Sequence, residues 1–172
     1  LEFRRVLFRS SLEERATCPT TCQQWETCYG NNMPFAHRFD HQSKDFNACL
    51  EASVAELARK HPKGFVVRLH VLGDFFSDAY VMLWLNLLNA YPMMNVYGYT
   101  HRLFQSDIGK LIRQLNAMFP LRWRIRFSDN WRAKFSACVV HPGNKYVPKK
   151  NKEVICPEQL GQVDKCVNCG LC

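Results

Sequence analysis

The sequence predicts an α/β fold, a parallel sheet of repeated βα units, on three observations. Pro62, Pro92 and Pro120 each close a helix-like run, so one unit recurs about every thirty residues, the size of a βα unit. Between the helical runs lie stretches rich in Val, Ile, Leu and aromatic residues, bounded by Gly, Pro and Asp, and such alternation of helix and strand implies parallel pairing. The strands also carry polarity on one side only, where strands buried on both faces would be apolar throughout. A cleft on one face of the sheet is the simplest account.

Residues 1–12 read as a non-native appendage. Leu1-Glu2-Phe3 suggests a cloning scar, and three arginines fall in the first ten residues without amphipathic order. Residues 13–136 then form the α/β domain with its cysteine loop, and residues 137–172 a lysine-rich linker with a four-cysteine segment, with both ends expected to be truncated. Cys18, Cys22 and Cys28 form a C-x3-C-x5-C set in a turn-rich loop. Three thiolates from one loop can hold three irons of a four-iron cluster and leave the fourth open to a substrate or cofactor. Zinc completed by His37 or His41 is the competing reading.

A helix over 45–60 starts at Ser43 or Asp45 and aligns Phe46, Leu50, Val54 and Leu57 on one stripe, with Cys49 expected in the core beside them. The strand over 65–73 places Phe65, Val67, Leu69 and Val71 on one side and Arg68, His70 and Asp74 on the other. The helix over 77–91 is apolar nearly all round and should be the most buried, whereas the helix over 106–119 has the pattern of a surface helix. Strands over 95–100 and 122–128 bring Tyr97 and Tyr99, then Arg122, Arg124 and Arg126 on one shared face. With Arg68, these arginines could hold phosphates while the tyrosines stack bases, and a solvated edge strand is the plainer alternative.

Polar residues gather at the strand ends as Gly73-Asp74, Thr100-His101-Arg102 and Ser128-Asp129-Asn130. Ligands of parallel α/β folds collect at carboxyl ends of strands, although such residues also cap helices. Farther on, Cys156, Cys166, Cys169 and Cys172 form a C-x9-C-x2-C-x2-C set expected to converge on one metal site, either a ferredoxin-type cluster or a zinc knuckle. Cys138 lacks a partner at metal-motif spacing and is expected to be a lone buried thiol.

Of 172 residues, 23 are Lys or Arg and 15 Asp or Glu, a formal charge of +8 that suits an anionic partner such as a nucleotide or nucleic acid. No apolar run approaches the roughly 20 residues of a membrane span. Nine cysteines without an export signal, odd in number and clustered, favour reduced thiols, metal and a cytoplasmic setting.

The segments Thr17-Cys18-Pro19, Cys28-Tyr29, residues 68–77, Tyr99-Thr100-His101-Arg102, residues 126–129 and the closing residues 166–172 resemble the phage gene product 88 family. That family is largely uncharacterised, and a phage origin implies the cytoplasm of a bacterial host. The order of elements is also similar, more distantly, to radical S-adenosylmethionine enzymes, whose fold is a partial TIM-like barrel. This resemblance implies a [4Fe-4S] cluster on Cys18, Cys22 and Cys28, with S-adenosylmethionine near Gly73, Asp74, Tyr99, Ser128 and Asp129. The second cysteine interval here is five residues, where that superfamily commonly has two. Two functions follow: an iron–sulfur, S-adenosylmethionine-dependent enzyme acting on a nucleotide or nucleic-acid-related substrate, or a non-catalytic zinc-bearing module that binds nucleic acid.

Overall fold

Alternation of buried and half-buried residues marks the central strands: Phe65, Val67 and Leu69 in β2 (Phe65–Leu69), and Trp123, Ile125 and Phe127 in β4 (Trp123–Ser128), are buried. Between them runs β3 (Met94–Thr100). The computed structural model describes residues 7–130, 136–138, 147–149, 153–157 and 160–163. It adds a strand at either side, β1 (Leu7–Arg9) and β5 (Ser136–Ala137), to give a five-stranded sheet in the order β1-β2-β3-β4-β5. Every neighbouring pair is parallel.

Parallel strands in sequential order, joined by right-handed crossovers, place the connecting helices on one face. These are α2 (Phe46–Lys60), α3 (Asp78–Ala90) and α4 (Asp107–Met118), which follow a short α1 (Glu14–Thr17). Their inward side chains, among them Val54, Tyr80, Trp84, Leu88, Ile112 and Leu115, pack against the buried strand residues in one core. Ser77 and Ser106 start α3 and α4, each hydroxyl accepting the amide of the residue three positions on, from Tyr80 and Gly109.

Four expectations need correction. Residues 7–12, read as part of an appendage, belong to the fold: β1 pairs with β2 through Leu7, Phe8 and Arg9, and Leu12 is only 1% exposed. The strand expected over 65–73 ends at Leu69. Beyond it the chain turns, with Gly73 at φ +84°, so period-2 alternation no longer holds and His70 joins the core beside Phe75 and Tyr80. Cys49 is exposed, because it lies about 100° around α2 from the centre of the Phe46, Leu50, Val54 and Leu57 stripe. Arg122 precedes β4, and its guanidinium donates to the carbonyls of Leu88, Tyr91 and Pro92 at the end of α3.

The edge of β4 beyond β3 is paired by β5 only at Phe127 and Ser128. Farther back, the buried Asn116 amide of α4 substitutes for a strand: its nitrogen donates to the Ile125 carbonyl and its oxygen accepts the Ile125 amide. No helix among the described residues is long and apolar enough to cross a membrane.

Candidate cysteine site at the carboxyl ends of the strands

The chain leaves β1 at the carboxyl edge of the sheet, forms α1, and runs directly into the cysteine loop. Two arginines help to tie this loop down. Arg38 forms a bidentate pair with the carboxylate of Glu14, at 2.8 and 2.9 Å, and also donates to the carbonyls of Gly30, Met33 and Ala36. Arg102, at the end of β3, donates to the Thr17 and Phe75 carbonyls at 2.6 and 2.5 Å. The loop is thereby fastened to the ends of β2 and β3.

Asp74 occupies the centre of this junction and is 2% exposed. One carboxylate oxygen accepts the Thr100 hydroxyl and the Phe75 amide, each at 2.7 Å, and the other accepts the His101 amide at 2.7 Å. Its own amide donates to the Thr17 hydroxyl. Burial pushes the Asp74 carboxyl up, and these hydrogen bonds oppose the shift. With both oxygens engaged inside the protein, Asp74 works here as a positioning residue. Gly73 is required beside it: at φ +84°, a Cβ would lie 2.6 Å from the Thr17 hydroxyl and 2.7 Å from Leu12.

Cys18, Cys22 and Cys28 line one small cavity of about 20 Å³ with Glu14, Arg15, Gln24 and Trp25. The Arg15 guanidinium lies 4.6 Å from the Trp25 ring centroid and covers one side of the loop. Burial pushes the Cys18 thiol up to about 12, and the charge of Asp74 adds to the effect. The Cys22 thiol is also raised, again chiefly by burial, with smaller contributions from Asp74 and Asp129. Thiols in this condition are protonated at neutral pH, so binding of a cation would release protons. Three thiols suit a soft or borderline metal. Among the described residues, no three His, Cys, Asp or Glu side chains stand close enough to hold one ion as placed. A metal would have to draw the loop thiols together.

The other residues read from the sequence divide into two groups. Asp129, just past β4 at φ 53°, belongs to the same edge, with its carboxylate 3.5 Å from His101 Nε2. Ser128 is the last residue of β4 and pairs with Ala137. Arg68, Tyr99, Arg124 and Arg126 lie farther back, on the sheet face opposite the helices, and Arg122 is committed to α3. His41 packs on the Phe76 ring, at 4.7 Å between centroids. Cys138 is half-buried at the end of β5, within electrostatic reach of Asp129. Cys156 is also half-buried, while Cys166, Cys169 and Cys172 lie outside the described residues, as does most of the lysine-rich loop.

Thr17, Glu14 and Arg38 carry no metal-motif spacing, and although Thr17 stands in the Thr17-Cys18-Pro19 segment, nothing in the sequence gives any of the three a role of its own. Their one mark is proximity to Cys18 and Cys28, which does not distinguish them from the other polar residues of the loop.

Neither the curated proteins nor the solved structures contain a match to this chain. A parallel βα sheet with a three-cysteine loop after β1 and a Gly-Asp turn after β2 is therefore set in context by one comparison, in which residues 6–172 match the model described as Gene product 88, and the chain belongs to that family.

Proposed function

We propose that this chain is an iron–sulfur, radical S-adenosylmethionine-like protein, part of a TIM-like barrel, that acts on a nucleotide or nucleic-acid-related substrate. One observation carries the reading: the three loop thiols share a cavity at the carboxyl edge of the sheet, where Asp74, His101 and Asp129 also gather. A cofactor at that edge could touch the cysteine loop and the sheet together. Had the cysteines lain at the opposite edge, the polar strand ends would be ordinary turn and cap residues.

A four-iron cluster on Cys18, Cys22 and Cys28 would supply the electron for reductive cleavage of S-adenosylmethionine. The chain's own contribution is positioning. Thr17, Asp74 and Arg102 hold the loop against the strand ends, Glu14 and Arg38 brace its far side, and Asp129 offers a carboxylate of limited exposure at the mouth. A second reading, a zinc-bearing nucleic-acid-binding module, is favoured by the arginines on the sheet face opposite the helices.

The two readings separate by experiment. Anaerobic reconstitution of the full chain should yield bound iron and sulfide. With a reductant, the loaded protein should release 5′-deoxyadenosine from S-adenosylmethionine, and Cys22→Ala should lose both iron at this loop and cleavage. Zinc retained in place of iron, or a cluster-loaded sample without cleavage, would sink the enzyme reading.

A further inference from the structure

We propose that the sheet face opposite the helices binds the phosphates of a small phosphorylated molecule, a nucleoside di- or triphosphate, through Arg9, Arg68 and Arg124. The register places these residues in one row: Arg9 pairs with Arg68, Arg68 with Tyr97, and Tyr97 with Arg124. Directly paired residues of parallel strands point to the same face, and neighbouring strands stand about 4.8 Å apart. Three arginine side chains thus leave one face within about 14 Å of sheet. Two residues on, Tyr99 pairs with Arg126 and extends the same face.

Like charges side by side on a sheet repel, so such a row needs an anion. Carboxylates meet that need for some other cations of this chain, Glu14 for Arg38, Glu56 for Arg59 and Asp107 for Lys110. Among the described residues, no carboxylate pairs with Arg9, Arg68 or Arg124. Arg124 donates to the Pro120 carbonyl at 3.3 Å, and the buried Nε of Arg68 has no hydrogen-bond partner among the described residues. A half-buried guanidinium with an unused donor calls for a ligand acceptor. The planar fork matches phosphate oxygens, and a polyphosphate carries enough charge to balance three arginines where a single carboxylate does not.

This inference deepens the function proposed above by stating what its substrate carries, and it rests on that reading only for the word substrate. Binding of the phosphates requires no cluster. Calorimetric titration of the full chain with inorganic triphosphate, ATP, adenosine and a thymidine oligonucleotide is the test. Triphosphate and ATP should bind and adenosine should not. Arg68→Gln and Arg124→Gln should each weaken ATP binding about tenfold, the loss of one charge-assisted contact. Arg59→Gln, which removes the same charge from α2, should change it less than about twofold. Cys22→Ala should leave binding intact, which separates failure here from failure of the cluster reading. Thermal melting verifies that each variant is folded, and Arg124→Gln decides the matter if Arg68→Gln is not. Absence of triphosphate binding, equal weakening by all three arginine variants, or binding of the oligonucleotide alone would overturn the proposal.

Discussion

His70 illustrates how one buried side chain ties stability to pH. Its Nε2 lies 3.0 Å from the Tyr80 hydroxyl and its ring packs 4.7 Å from Phe75, while burial holds its pKa down to about 3 against an ordinary 6.5. The unfolded chain takes up a proton here below 6.5, whereas the folded chain does so only near 3. The contribution is therefore complete above 6.5 and is lost as pH falls toward 3, by about 2 kcal/mol at pH 5. The raised Asp74 carboxyl acts in the opposite sense over the acid range, since a folded-state pKa above the unfolded value favours folding at low pH. Urea unfolding at a series of pH values checks the prediction through the difference between wild type and His70→Phe. That variant keeps the ring shape and should lose the histidine's slope between pH 6.5 and 4. A parallel pH dependence in the two proteins would show that His70 is not the titrating group.

Among the elements, β4 depends most clearly on a single side chain outside its own strand. The Asn116 amide supplies the donor and the acceptor for Ile125 that a fifth full strand would otherwise provide. Asn116→Leu keeps the volume but leaves both backbone groups of Ile125 without that partner, and should cost about 2 kcal/mol in denaturant midpoint analysis. A change below a few tenths would mean that water or another segment serves this edge equally well. Nothing in the sequence distinguishes Asn116 from a solvent-facing residue of an amphipathic helix. The helices and central strands, by contrast, were legible, since Pro62, Pro92 and Pro120 punctuate them and the apolar periodicity is strong. β1 was not, because three residues cannot establish a period. The cysteine loop was legible through its spacing alone. Its anchoring was hidden, since Arg38 reaches Glu14 across 24 residues, Asp74 reaches Thr17 across 57, and Arg102 reaches Thr17 across 85.

At the scale of the whole molecule, the sheet and the cysteine loop share a dependence on the segment that composition alone would discard. Ser10 donates its amide to the Arg68 carbonyl and accepts the Val71 amide, and the Leu12 amide donates to Leu72. The Leu12 side chain is buried against Gly73, the residue that turns the chain into Asp74. Removing residues 1–12 would strip one edge from β2, empty the site of a buried leucine and free the start of the cysteine loop together. Loss of the buried leucine alone is worth about 3 kcal/mol, so the deletion should lower the melting temperature by about 10 °C or more. An appendage would behave otherwise: its removal would leave melting unchanged. Circular dichroism melts of the full chain and of the chain beginning at residue 13 decide between these outcomes. A second readout tests the connection to the site. If β1 and Leu12 hold the loop in place, the shortened chain should also bind less iron on reconstitution, even at temperatures where its helix content remains intact.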